Sequence, residues 1–325
     1  MNNFKKVGLT ALAGSLAAIS ANAAEMTVSG ASVLTYTSED TTETTGNPFG
    51  MKTNLGFTAS GEVNGYTVSY MQTSADQFAG MSSARLSIDM GDSGLLAFDQ
   101  GSGSGLKTID DKTPTAAEEI WDGLDGKTAG GLVGAAGSSG VWNYVNSMGG
   151  VKLNAAVRKG SGTSNSDGAS SGAGQGAWDF ALTGAPMDGM SAGIGYGEAE
   201  QGQTGAASEA KHSTLFANYS VGPITAGIQH SVIDNGASTA TDEIMDAWGI
   251  AFNVNENLSV SYGQRDVEFD KNGGGSDITE DGNGFAAAYT MGSIKIAGNR
   301  NEVDNNGGTA GVSDTMTEIA VSFAF

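Results

Sequence analysis

Carboxylates are concentrated in one polar stretch of the chain, where Lys107, Lys112 and Lys127 are only partial counterweights. An excess of carboxylates attracts cations and repels anions, and acids that face bases across a narrow space create a transverse electric field. This stretch is therefore the first candidate for a site that acts on ions or polar solutes. Its acidic residues are Asp110, Asp111, Glu118, Glu119, Asp122 and Asp125.

Two short motifs resemble parts of enzyme sites but lack the context that the chemistry needs. Residues 168–172 match the G-x-S-x-G nucleophile pattern around Ser170. That pattern works on a strained turn between a strand and a helix, whereas this copy lies in a segment rich in Ser, Gly and Asn. Residues 126–128 resemble the end of a phosphate-binding loop, yet Trp121 stands where the first glycine is required. We therefore predict that the chain is not an enzyme.

Metal-binding residues are sparse. The chain has no cysteine, and its two histidines, His212 and His230, are too few for a three-histidine zinc site. One glycine-rich segment carries carboxylates that would suit a hard cation such as Ca²⁺, although EF-hand spacing is absent. These weak candidates are Asp270, Asp277, Glu280 and Asp281.

The N-terminus predicts export. Lys5 and Lys6 precede an apolar run over residues 7–19, and Ala21-Asn22-Ala23 supplies a small-residue cleavage pattern. The run is shorter than the roughly 20 apolar residues of a transmembrane helix. We expect residues 1–23 to be a cleaved secretory signal peptide.

Charge and composition exclude several classes of protein. The formal net charge is -21, so the chain lacks the cationic surface with which proteins neutralise nucleic-acid phosphates. It contains 51 glycines but 4 prolines, which disfavours helical and doubly wound architectures. We predict an all-β protein with no nucleic-acid partner.

Alternation of apolar and polar residues with a period of two dominates the chain from Glu25 onward, in about sixteen short segments. Such alternation sends one set of side chains to each face of a strand. A soluble β-sandwich would also alternate, so the pattern alone leaves that alternative open. The clearest segment places Val151, Leu153, Ala155 and Val157 opposite Lys152, Asn154 and Arg158.

The connections between these segments alternate between short and long; the longest runs from Gln100 to Ser139, and another long one runs from Asp266 to Asn283. Outer-membrane barrels show this asymmetry, with short turns on one rim and long loops on the other.

Apolar residues alternate with polar or small ones at the chain end, and the last residue is aromatic; the apolar set is Ile319, Val321, Phe323 and Phe325. This pattern resembles the C-terminal strand of Gram-negative outer-membrane porins, in which a terminal phenylalanine marks the chain for the barrel-assembly machinery.

The resemblance to the trimeric general diffusion porins implies a 16-stranded antiparallel transmembrane β-barrel over residues 24–325. Short periplasmic turns and long external loops would join its strands. The third loop, over residues 99–139, would fold inward as a constriction, with a helical turn over residues 116–124. Lys52 and Arg85 have lumen parity and would form the facing basic wall. The loop lacks the Pro-Glu-Phe and double-glycine motif of enterobacterial porins.

The same resemblance implies passive diffusion of small hydrophilic solutes and ions, without a cofactor. The expected partners are outer-membrane lipid, lipopolysaccharide and two further copies in a homotrimer. The acidic loop predicts a weak cation preference. A substrate-selective porin, or an exported Ca²⁺-binding adhesin or matrix protein, remains an alternative.

Aromatic residues near strand ends would form interfacial girdles; these are Tyr36, Tyr66, Tyr219, Trp248 and Tyr289.

Overall fold

The computed structural model describes residues 25–39, 47–75, 81–124, 134–137, 139–159, 176–200, 209–237 and 240–324. Several predicted features lie outside these residues. They are the signal peptide (residues 1–23), Asp125, Lys127, the motif around Ser170, and Phe325.

The described residues form sixteen strands, and each predicted segment corresponds to one of them. The strands are β1 (Glu25–Glu39), β2 (Phe49–Val63), β3 (Tyr66–Ala75), β4 (Met81–Asp89), β5 (Leu95–Gln100), β6 (Ser139–Met148), β7 (Val151–Arg158), β8 (Ala177–Gly184), β9 (Met190–Glu200), β10 (Glu209–Val221), β11 (Ile224–Asp234), β12 (Thr241–Asn253), β13 (Leu258–Lys271), β14 (Ile278–Met291), β15 (Ile294–Asp304) and β16 (Ser313–Ala324).

Each strand pairs antiparallel with its neighbours in sequence, and β1 pairs with β16 to close the barrel. The closing register runs from Ala31 opposite Ala324 to Glu39 opposite Met316. Closure leaves no unpaired sheet edge, which is the condition for a sheet to lie in lipid. The structure therefore confirms the predicted barrel and excludes a sandwich of two sheets.

The two faces of the barrel differ in their exposure. On β12, Trp248 and Ile250 point outward and are exposed, whereas Met245 and Ala247 point inward and are buried. The predicted parity of β7 is also confirmed, because Val157 is exposed outside and Asn154 is buried inside. All five predicted girdle aromatics are exposed on the outer face.

Short turns connect the strands at one rim. Asn64 and Gly65 join β2 to β3 with φ angles of +53° and +83°. Positive φ at both central residues is typical of the tight hairpin turn that matches strand twist. None of the helices in the described ranges is long and apolar enough to cross a membrane.

Strands extend beyond their predicted ends at the opposite, long-loop rim. The segment predicted as a loop over residues 266–283 is mostly strand, because β13 continues to Lys271 and β14 begins at Ile278. Above Tyr262 the outward residues of β13 become polar and the inward Val267 and Phe269 are apolar, so the alternation continues with reversed parity. Four outward carboxylates lie in register across β12 to β15 at this level: Asp246, Asp266, Asp281 and Asp304.

We predict that Ile228→Arg destabilises the barrel in lipid by about 2–4 kcal/mol, because it places a cation on the apolar outer face. Ile228 is outward on β11 and 55% exposed. Urea-induced unfolding in lipid vesicles measures the effect. The control is Thr225→Arg on the inward face of the same strand, which should cost much less. Equal losses for the two variants would contradict the assignment of faces.

Candidate functional site

The connection between β5 and β6 spans residues 101–138 and is called L3; its described parts, residues 101–124 and 134–137, lie inside the barrel. It contains a 3-10 helix, Gly105–Ile109, whose Leu106 and Ile109 pack against inward residues Ala181 and Phe216. The short helical turn expected over residues 116–124 does not form as a helix. That part instead forms turns, with the Asp122 amide donating to the Glu119 carbonyl over 3.0 Å.

The start of L3 is fixed to β4 and β5 around the buried carboxylate of Asp99. The hydroxyls of Ser102 and Ser104 donate to this carboxylate. Arg85 lies 3.6 Å from Asp99 and donates to the Gly103 carbonyl over 3.0 Å. Arg85 thus has the predicted inward orientation, but it holds the loop base and does not face the loop acids from an opposite wall.

Polar side chains on β7 and β8 hold both limbs of L3. Asn154 accepts a hydrogen bond from the Gly105 amide over 3.0 Å. The two carboxylate oxygens of Asp179 accept from Leu106 at 2.9 Å and from Ala136 at 2.7 Å. A single buried carboxylate therefore joins the outgoing limb of the loop to the returning limb.

The polar contacts continue around the inner wall. Gln229 on β11 accepts from the Lys112 amide over 2.8 Å, and Ser261 on β13 accepts from the Ala116 amide over 2.8 Å. Asn301 on β15 donates to the carbonyls of Glu119 and Asp122. Each contact gives a part-buried backbone group of L3 a polar partner on the inner wall.

Glycines on the inner wall allow L3 to lie close to the sheet. A Cβ at Gly227 would lie 2.7 Å from Pro114, and one at Gly284 would lie 2.9 Å from Ile120. A Cβ at Gly195 would overlap Leu106. Much of the glycine content on β9 to β14 is therefore explained by the space that this loop occupies.

Three loop acids form a hydrogen-bonded group. Burial, together with the charge of Asp111, raises the pKa of Asp110 to about 6. Burial and contact with Asp111 raise the pKa of Glu119 to about 7. Burial opposes ionisation of Asp111, but hydrogen bonds from Glu119 and the charge of Lys112 lower its pKa overall. The group therefore changes charge near neutral pH.

Lys52 is the base that faces the far end of L3. It points inward from β2 and acts electrostatically on Asp122 and on Glu318 of β16. Burial raises the pKa of Asp122, and the charge of Lys52 partly opposes this shift. Glu118 is exposed beside this group. Lys52 therefore lies close enough to the acids at this end of L3 to act on their charge.

Sequence reasoning missed Arg265, an inward residue of β13. Its guanidinium lies 5.2 Å from the ring centroid of Trp121 in L3 and 3.0 Å from Glu280. Arg265 and Glu280 are both buried. Arg265 is the last residue of the predicted strand, and its inward parity is a usable signal, but the sequence does not indicate its partners Trp121 and Glu280.

The four Ca²⁺ candidates do not converge. Because β13 and β14 extend through this region, Glu280 and Asp281 point to opposite faces of the sheet. Glu280 pairs with Arg265, and Asp277 accepts from the Lys271 amide over 3.0 Å. Among the described residues no group of three or more His, Cys, Asp or Glu side chains is arranged to hold a metal.

The two histidines do not form a common site. His212 faces inward on β10, whereas His230 faces outward on β11, 2.8 Å from Asp246. Both lie on the barrel wall.

Comparison with known proteins gives one family and one fold. A family profile described as Gram-negative porin matches residues 8–323. No curated protein matches the chain.

Among solved structures, the trimer form of OmpT, an outer membrane protein of Vibrio cholerae, superposes with a TM-score of 0.68 at 14% identity, covering 93% of this chain and 100% of that one. OmpF of Salmonella typhi gives a TM-score of 0.68 at 13% identity, covering 94% and 99%. A mutant porin of Rh. blastica gives 0.63 at 15%, covering 93% and 100%.

We predict that Asp179→Asn loosens L3 without opening the barrel. The asparagine keeps one acceptor oxygen, so one of the two loop amides loses its partner, at a cost of about 1–3 kcal/mol. Hydrogen exchange measured by mass spectrometry should speed up at Leu106 or Ala136 by about tenfold or more. Asp188→Asn, in an exposed turn, is the control. Unchanged exchange at both amides would show that Asp179 does not hold the loop.

Proposed function

The chain belongs to the Gram-negative porin family, and we propose that it forms a water-filled channel for passive diffusion of small hydrophilic solutes and ions, with a weak preference for cations. Family and fold together imply an outer-membrane location. The long-loop rim then faces outward and the short turns face the periplasm.

The observation that supports this proposal is the inward position of L3 within a closed barrel. The loop carries Asp110, Asp111, Glu118, Glu119 and Asp122 into the lumen, where water is limited and charges act strongly. On the facing wall Lys52 is the opposing base, because Arg85 is engaged by Asp99. The net sign at the constriction is therefore negative, which favours cations.

A homotrimer is the second part of the proposal. The outer face of β1 and β2 stays apolar up to the long-loop rim. There the rings of Tyr36 and Phe49 meet edge to face, with their centroids 5.5 Å apart. Leu34 and Met51 are exposed beside them. The outer face of β12 to β15 is acidic at its upper level, so the apolar face of β1 and β2 is the better surface for contact with other copies.

No catalytic step is needed for this activity, and we propose that the protein is not an enzyme. Lipopolysaccharide and the barrel-assembly machinery are further expected partners. The outward Ile319, Val321 and Phe323 of β16 would form part of the assembly signal that ends at Phe325.

We predict that purified protein gives step conductances in a planar bilayer and a reversal potential of cation-selective sign under a KCl gradient. The double variant Glu118→Gln, Asp122→Asn should move the reversal potential towards zero, because it removes negative charge from the constriction. Lys52→Gln should move it the other way. Asp92→Asn, in a short turn, should leave it unchanged. A wild-type preference for chloride would refute the proposed role of the loop acids.

We also predict that cation preference weakens as pH falls from 8 to 5. The raised pKa values, about 7 for Glu119 and about 6 for Asp110, mean that both acids take up protons within this range and lose their negative charge. The same pKa shifts affect the stability of the loop. Because burial favours the protonated form of these acids, the loop is more stable when they are protonated and less stable when they ionise. Reversal potentials recorded across the range give the titration. Glu119→Gln should remove the part of this titration that occurs at the higher pH values. A wild-type reversal potential that does not change with pH would contradict the raised pKa values of Asp110 and Glu119.

A further inference from the structure

The inner wall carries an apolar patch above L3, where a polar lumen surface is expected. Met245 and Ala247 of β12 pack with Val267 and Phe269 of β13, and Ile233 of β11 packs against them. Met245 and Val267 are fully buried. Apolar residues on the inward face of a water-filled barrel need a covering segment, because their exposure to water is unfavourable.

The last connection, residues 305–312 (called L8), lies against this patch. A Cβ at Gly308 would lie 2.7 Å from the ring of Phe269. The Gly307 amide donates to Glu280 over 2.7 Å, and Asn305 donates to the Thr279 carbonyl over 2.9 Å. Phe269 and Glu280 both belong to the inward face, so L8 bends into the lumen at the long-loop rim.

L8 is internally ordered and carries no charge. The Asn306 amide donates to the Val312 carbonyl over 2.9 Å, and the Gly311 amide donates to the Asn305 side chain over 3.0 Å. Asn305, Gly307 and Gly308 have positive φ angles, which give the hairpin its tight shape. The loop sequence is Asn-Asn-Gly-Gly-Thr-Ala-Gly-Val.

We propose that L8 is a second constriction of the pore, which limits solute size at the outer vestibule without affecting the sign of the ions that pass. The charged loop L3 and the uncharged loop L8 then divide selection between them. This inference rests on the proposed channel function. The two loops meet at one buried ion pair, since Arg265 contacts Trp121 of L3 and Glu280 binds Gly307 of L8.

The test uses two glycines of L8 that differ in their surroundings. Gly308→Ala places a Cβ against Phe269 and should displace the hairpin, because overpacking of a filled contact is unfavourable. Gly311→Ala is the matched control. Its φ is +75°, close to the +70° of Gly308, but a Cβ there would meet nothing within 4 Å.

Two measurements report on the loop. In planar bilayers, Gly308→Ala should raise the step conductance and admit larger neutral polyethylene glycols, with the reversal potential unchanged. The second measurement adds Val267→Cys as the single cysteine of the chain and follows its reaction with a water-soluble thiol reagent. Displacement of L8 should speed labelling by about tenfold, equivalent to about 1.4 kcal/mol of lost protection.

The outcomes separate this inference from the channel function. Wild-type protein without conductance steps would refute the channel, whereas steps with equal conductance and equal labelling in Gly308→Ala and Gly311→Ala would refute the role of L8 alone. A changed reversal potential in Gly308→Ala would show that L8 acts on charge through L3, and would overturn the division of roles. Native-like heat modifiability on gels confirms that each variant folds.

Discussion

Closure of the sheet is the constraint on which the rest of the structure depends. In lipid, every backbone amide and carbonyl needs a partner, and only a cylinder of paired strands provides one without exposing an edge. Closure also divides each strand into two environments, because successive side chains point alternately to the outside and the lumen. The apolar outer face and the polar inner face follow directly from that division.

The inner face of the barrel is shaped to accommodate L3. Asp99, Asn154, Asp179, Gln229, Ser261 and Asn301 supply polar partners along L3, and glycines on the intervening strands make room for its backbone. Satisfied polar contacts of this kind hold a loop more firmly than apolar packing alone, because each broken contact leaves a buried group unpaired. A stable aperture, and the position of the acids at its edge, result from this arrangement.

Sequence predicted the fold better than it predicted the site. All sixteen strands and the inward orientation of Lys52 and Arg85 could be inferred, because lipid outside and water inside impose a strict period of two. Strand ends at the long-loop rim could not, because above Tyr262 the outward residues of β13 are polar and the apolar Val267 and Phe269 face inward, which reverses the parity of the rest of the strand. The partners of the two arginines could not be inferred either. Arg85 contacts Gly103 and Arg265 contacts Trp121, and periodicity does not encode contacts between residues that are distant in sequence.

The pairing of β1 with β16 joins two segments separated by nearly the whole chain. Such a contact has the largest loop-closure entropy in the molecule, so it forms late and slowly. Until then, Leu34 and Val321 belong to strands with open hydrogen-bonding edges, which are prone to pair with foreign chains. The molecule is therefore most vulnerable to aggregation just before completion, and recognition of its final strand by a helper would protect it at that stage.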